Sequence, residues 1–212
     1  MNLIDKISTH SRQPLTHQLL ISWLKHYERP NDKISELIHQ NKLQSIKKGL
    51  YIVGPAIIAA IPEKFTIANH LLGPSYISLD SALSYYGLIP EKVYTTSSVT
   101  IKSSKEFDTS IGFFSYSQLP VPYYSFGIKS LLIGESQQIL IASKEKALCD
   151  KIIKTKGIVL RSEKQAYEFL IKNLRMDEFI LKNLNTDEIE NWLNNAPKAE
   201  SISQVVKVIK SL

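Results

Sequence analysis

Apolar residues recur at helical spacing three times before residue 40. LIDKIS (residues 3–8) fits a short helix, and Pro14 opens LTHQLLISWLKHY, where Leu15, Leu19, Leu20, Trp23 and Leu24 share one face. Arg29, Pro30 and Asn31 interrupt the pattern. DKISELIHQNK then resumes it, with Ile34, Leu37 and Ile38 on one face and Lys33, Ser35, Glu36, His39 and Gln40 off it. The period changes to two in LQSIKKGLYIV (residues 43–53). Leu43, Ile46, Leu50, Ile52 and Val53 fit two short strands, and Gly49 supplies the positive φ of a tight turn.

The next stretch, residues 61–75, contains Pro62 and Pro74 around a helical segment from Phe65 to Leu72, too apolar for a free linker. Ser78 is placed to cap LDSALSYY, with Leu79, Ala82, Leu83 and Tyr86 inward and Gly87 as the stop. From Lys92 to Phe126 the composition turns to Val, Thr, Phe and Tyr, which predicts strands. VPYYSFGI and QQILIAS extend them into a small, mostly antiparallel sheet. Ser143 caps KEKALCDKIIKTKG, and residues 162–212 read as helices broken at Asn185 and Pro197. The expected fold is α+β: a helix-rich unit over residues 1–60 closed by a hairpin, a packed connector over 61–75, and a larger α+β unit over 76–212.

Three helices followed by a two-stranded ribbon with a basic tip is the order of a winged helix-turn-helix. Charge favours the same end. The 212 residues carry a net +6, and residues 1–60 hold eight Lys/Arg against four Asp/Glu. The third helix would bury its Ile/Leu stripe and offer its polar face to a major groove while the ribbon tip reaches phosphates. Arg29, Asn31, Lys33, Ser35, His39, Lys42, Lys47, Lys48 and Gly49 are the candidate DNA-binding residues, with Asp32 and Glu36 opposing them.

Composition also bounds the chemistry. One cysteine, Cys149, forbids an intrachain disulfide and a multi-cysteine zinc site, and its apolar neighbours mark it as a buried structural thiol in a cytoplasmic protein. No apolar run approaches the roughly 20 residues that span a bilayer. The glycines form neither a dinucleotide fingerprint nor a phosphate loop, and no two histidines stand four apart. No Lys follows an Asp or Glu by two positions, as the restriction-type metal nucleases need. A binding protein without cofactor or metal is therefore expected, not an enzyme.

The ordered set Lys-Lys-Gly-Leu-Tyr, then Tyr-Ile-Ser with Ser-Ala-Leu and Gly-Leu, then Phe-Ser-Tyr, then Ala-Ser-x-Glu-Lys-Ala with Asp resembles the AbiEi-type antitoxins of type IV toxin-antitoxin systems, over roughly residues 30–155. The resemblance implies an N-terminal unit that represses its own operon at inverted repeats, as two copies on DNA. It also implies a C-terminal unit that antagonises a nucleotidyltransferase-fold toxin. It places Lys47, Lys48 and Gly49 in the wing and residues 31–40 in the recognition helix, and matches Ser78, Ser81, Gly87, Glu145, Lys146 and Asp150 to the second unit's recurring positions. Of these, Ser78 also reads as a helix cap, Gly87 as a helix stop, Glu145 as a first-turn charge and Asp150 as a partly buried carboxylate paired with Lys or Arg. A stand-alone transcriptional regulator, its second unit dimerising or sensing a ligand, shares the architecture.

Overall fold

The computed structural model describes residues 2–134 and 136–212. Its first unit runs α1 (Leu3–Thr9), β1 (Leu15–Thr16), α2 (His17–Trp23), α3 (Pro30–His39), β2 (Leu43–Lys47) and β3 (Leu50–Val53), with a three-stranded antiparallel sheet ordered β1-β3-β2. Two details differ from expectation. Leu15 and Thr16 are not helical but pair with Tyr51 and Leu50, and Thr16 then caps α2 by accepting the Leu19 N–H. The third helix starts earlier than its apolar pattern indicates, at Pro30, where the missing N–H and fixed φ of proline cost nothing.

The end of α3 is set by Asn41, at φ +54°. The N–H of Asn41 donates to the Ile38 carbonyl and that of Lys42 to the Leu37 carbonyl, a Schellman closure. The same turn receives Gly54, whose N–H donates to the Lys42 carbonyl at 2.9 Å. A Cβ on Gly54 would lie 2.2 Å from the Asn41 carbonyl oxygen, so the chain approaches here as only glycine permits.

The second unit comprises α4 (Lys64–Leu71), β4 (Ser75–Ile77), α5 (Leu79–Tyr85), β5 (Thr96–Thr100), β6 (Lys105–Thr109), β7 (Gly112–Gln118), α6 (Val121–Tyr124), β8 (Ile128–Ile133), β9 (Gln137–Ala142) and α7 (Lys144–Lys154). After these come α8 (Glu163–Glu168), a π turn (Phe169–Asn173), α9 (Glu178–Lys182), α10 (Thr186–Trp192), a 3₁₀ turn (Leu193–Asn195) and α11 (Ala199–Ser211). The six strands form one sheet in the order β6-β7-β5-β4-β9-β8. The sheet is mixed, not mostly antiparallel: β4 runs parallel to β9 and β5 parallel to β7. VPYYSFGI is also not one strand. Its first half is α6, with proline in the first turn, and β8 starts only at Ile128.

The β4–β9 pair is short, matched only at Ile77 and Ile141. Beyond it Asn69 of α4 stands in for a strand. Its Oδ1 accepts the Leu140 N–H at 2.8 Å, and its Nδ2 donates to the Leu140 carbonyl at 3.2 Å.

Two apolar cores result, and the hairpin belongs to both. Leu43, Tyr51 and Val53 join Ile7, Leu20, Ile34 and Leu37 in the smaller core. Ile46, Leu50 and Ile52 instead join the larger one, with Ile67 and Leu71 of α4. Alternation thus sends successive residues of β3 into opposite cores.

Candidate functional site

Ile34 and Leu37 hold α3 against α1 and α2, and the spacing of four then brings Asn31, Ser35 and His39 into one exposed line. The Ser35 hydroxyl donates to the Asn31 carbonyl, leaving its lone pairs outward. The cations of this helix lie off that line. Arg29 pairs with Asp32 at 2.7 Å, and the Lys33 ammonium bridges both carboxylate oxygens of Glu36 at 2.8 Å, beside the Tyr27 ring. This hydrogen bond raises the Lys33 pKa and lowers that of Glu36. Lys42 flanks the same carboxylate, with Lys33, Tyr27 and Leu3 around a shallow hollow. Charge on α3 is therefore largely balanced within the helix, and its outward chemistry is an amide, a hydroxyl and an imidazole.

At the hairpin turn, Lys48 is exposed and Gly49 adopts φ +85°. Lys47 is not at the tip. The register shifts between Ser45 and Lys47, and with Ile46 drawn into the larger core the Lys47 ammonium folds back to donate to the Leu71 carbonyl, 5.8 Å from the centre of the Phe107 ring. Burial lowers its pKa, and Lys105 and Lys102 add to the shift. Gln44 also reaches the second unit, donating to the Ser110 hydroxyl in the β6–β7 turn at 2.7 Å.

The second unit's matched residues converge in part. Ser78 occupies the cap position of α5 but makes no cap bond; its hydroxyl donates to Asp150 Oδ2 at 2.7 Å. Leu79, at φ +54°, turns β4 abruptly into α5 at this point. Capping passes to Ser97 of β5, whose hydroxyl oxygen accepts the Ser81 N–H, while the Ser81 hydroxyl oxygen accepts the Ser97 N–H at 2.8 Å. Asp150 also accepts from the Tyr76 hydroxyl at 3.0 Å and faces the Lys146 ammonium at 3.1 Å, one turn away on α7.

Lys146 donates to the Tyr123 carbonyl and sits 3.2 Å from the centre of the Tyr123 ring. Both charged side chains have no exposed surface. Burial pushes Asp150 up and Lys146 down, and their mutual attraction opposes both shifts. Burial likewise raises Tyr76, Tyr123 and Cys149. The cluster clasps β4, α5, α6 and α7 together. With no surface open to a substrate, it is placed to support the sheet rather than to react.

Glu145 and Gly87 stand apart from it. Glu145 accepts the Asn185 N–H at the start of α10, and Gly87, at φ +68°, ends α5. Tyr76 and Tyr123 were visible in the sequence only as aromatic residues, and Ser97 carried no signal, because its partner lies 16 residues away.

Among the described residues no group of three or more His, Cys, Asp or Glu side chains is placed to hold a metal ion, and no helix is long and apolar enough to cross a membrane. No model of a known protein family and no curated protein matches the chain.

Proposed function

We propose that this protein is a DNA-binding autorepressor and antitoxin of the cytoplasm. The exposed Asn31–Ser35–His39 line carries the DNA-binding reading, because an amide, a hydroxyl and an imidazole four residues apart suit base edges in a major groove. The order α1-β1-α2-α3-β2-β3 supports assigning a winged helix-turn-helix, with Lys48 as the phosphate contact at the wing. Antagonism of a nucleotidyltransferase-fold toxin by the second unit rests on the motif resemblance. A second reading, a regulator that senses a small molecule, is favoured by a solvent-facing hollow of about 500 Å³ whose walls include Asp80, Tyr94 and Lys151.

The test uses the full chain and the DNA upstream of its own gene. Binding to an inverted repeat, with two protomers per operator, is the expected result. Asn31→Ala with His39→Ala should weaken operator binding by about 10- to 100-fold while sparing binding to unrelated duplex. Equal losses on both DNAs would remove α3 from base recognition. For antagonism, the full chain should restore growth to cells expressing the nucleotidyltransferase-fold protein encoded beside it. Absence of such a neighbour, or no rescue, leaves the regulator reading in its place.

A further inference from the structure

The segment joining the two units keeps apolar side chains in solvent although it is held at both ends. Ile57 and Ala59 pack on the smaller core, Pro62 is buried, and the Glu63 N–H donates to Gln137 Oε1 at 2.7 Å. Alternation between those anchors turns Ile58 outward, fully exposed. Ile61 is exposed as well, at most about 11 Å further along the chain. It lines a hollow of about 610 Å³ whose walls also include Pro62, Phe65 of α4, Tyr85 of α5 and Ile133 of β8.

Two opposite charges flank this apolar centre. Glu63 and Lys64 line the same hollow, both are exposed, and among the described residues neither forms an ion pair. Their ends diverge. The Glu63 carboxylate lies against Gly134, just after β8, and the Lys64 ammonium against Gly112, at the start of β7, and β5, β4 and β9 separate those two strands in the sheet. A patch that is apolar in the middle, negative on one side and positive on the other is its own complement. A two-fold rotation about an axis lying in the face brings each Glu63 onto Lys64 of the other copy and sets apolar centre against apolar centre.

The geometry points to a face through which two copies of this chain associate, with Ile58 and Ile61 of each copy closing over the hollow of the other and Glu63 pairing with Lys64 across the contact. An apolar patch rimmed by charge is the pattern of an association surface. The occupant is a second copy, because the one surface supplies both the apolar filling and the reversed order of charges that the hollow requires. The contact needs no DNA, so it goes beyond two protomers gathered on an operator and stands independently of the DNA-binding reading.

The experiment is sedimentation velocity of the full chain, without DNA, over a rising series of concentrations. The native protein should pass from 24.0 kDa to twice that mass. Ile58→Asp/Ile61→Asp should stay monomeric over the same series, and since both side chains are exposed the thermal midpoint of the dilute protein should not move. Glu63 makes no cap bond to α4, so its charge can be reversed without loss of a contact within the chain. Glu63→Lys or Lys64→Glu alone sets like charges opposite each other twice per dimer and should weaken association by about 10-fold or more, whereas Glu63→Lys/Lys64→Glu together should restore it. A native chain that remains monomeric at every concentration overturns the self-contact. So does a dimer that survives Ile58→Asp/Ile61→Asp, or one that the combined charge exchange fails to restore.

Discussion

The hydroxyl of Ser78 donates to the carboxylate of Asp150 at 2.7 Å across 72 residues of chain, a bond available only because Ser97 has taken over the capping of α5. Ser78→Ala should therefore act as the loss of a buried hydrogen bond to a charged group and not as the loss of a cap. We expect it to cost about 1–3 kcal/mol in denaturant unfolding, with native-state amide exchange at the start of α5 unaffected except through global stability. Ser97→Ala should instead accelerate exchange of the Ser81 amide selectively.

Lys146 and Asp150 form a fully buried pair, so removing one partner strands the other. Asp150→Ala is expected to destabilise by about 3–5 kcal/mol, and combining Lys146→Met with Asp150→Leu to recover much of that loss. Urea unfolding of Lys146→Met, Asp150→Leu and the double variant, beside Asp150→Ala, measures this. Additive losses would show that the pair does not act as a unit.

Gly54→Ala places a methyl group where the Asn41 carbonyl already stands. The α3–β2 corner must open to admit it, at a cost of about 1–3 kcal/mol or more, seen as a lowered thermal midpoint. Operator affinity should fall with it, because the same corner fixes α3 against the hairpin.

Asn69→Leu keeps the bulk of the side chain but abolishes both bonds to the Leu140 peptide. Hydrogen exchange at the Leu140 amide should rise well beyond that of neighbouring β9 amides. Protection equal to that of the native protein would mean that another group completes the ladder.

Glu91 accepts from the Arg175 guanidinium at 2.8 Å, and that hydrogen bond holds its pKa below the ordinary carboxylate value. A carboxylate depressed in the folded state contributes stability above its unfolded pKa and loses that contribution as pH falls through the folded pKa. NMR titration should find Glu91 protonating at lower pH than an unpaired glutamate, and Arg175→Gln should bring it back towards the ordinary glutamate value.

Local pattern made the hairpin, the α5 stop at Gly87 and the Ser143-capped helix legible, because a few adjacent residues determine each. The parallel pairing of β4 with β9 was not legible, since its partners are 64 residues apart and β4 has only three residues to signal a strand. The candidate site divides the same way. Asn31, Ser35 and His39 follow from helical spacing, whereas the course of Lys47 depends on Ile46 being buried in a core built from residues after 60. The charge pairing expected at Asp150 came from its place on a helix face, but its hydroxyl donors, Tyr76 and Ser78, come from a strand and the residue after it, 74 and 72 positions away in the chain.

The division of β3 between the cores has a practical and a thermodynamic consequence. A fragment ending near residue 60 would bare Ile46, Leu50 and Ile52, each worth about 1.5–3 kcal/mol of burial, and one starting near residue 75 would lose both α4 and the hairpin that covers it. Neither half is a free-standing module. The protein should melt in a single cooperative transition, and anything gripping one half must register, through four residues of shared strand, in the rigidity of the other.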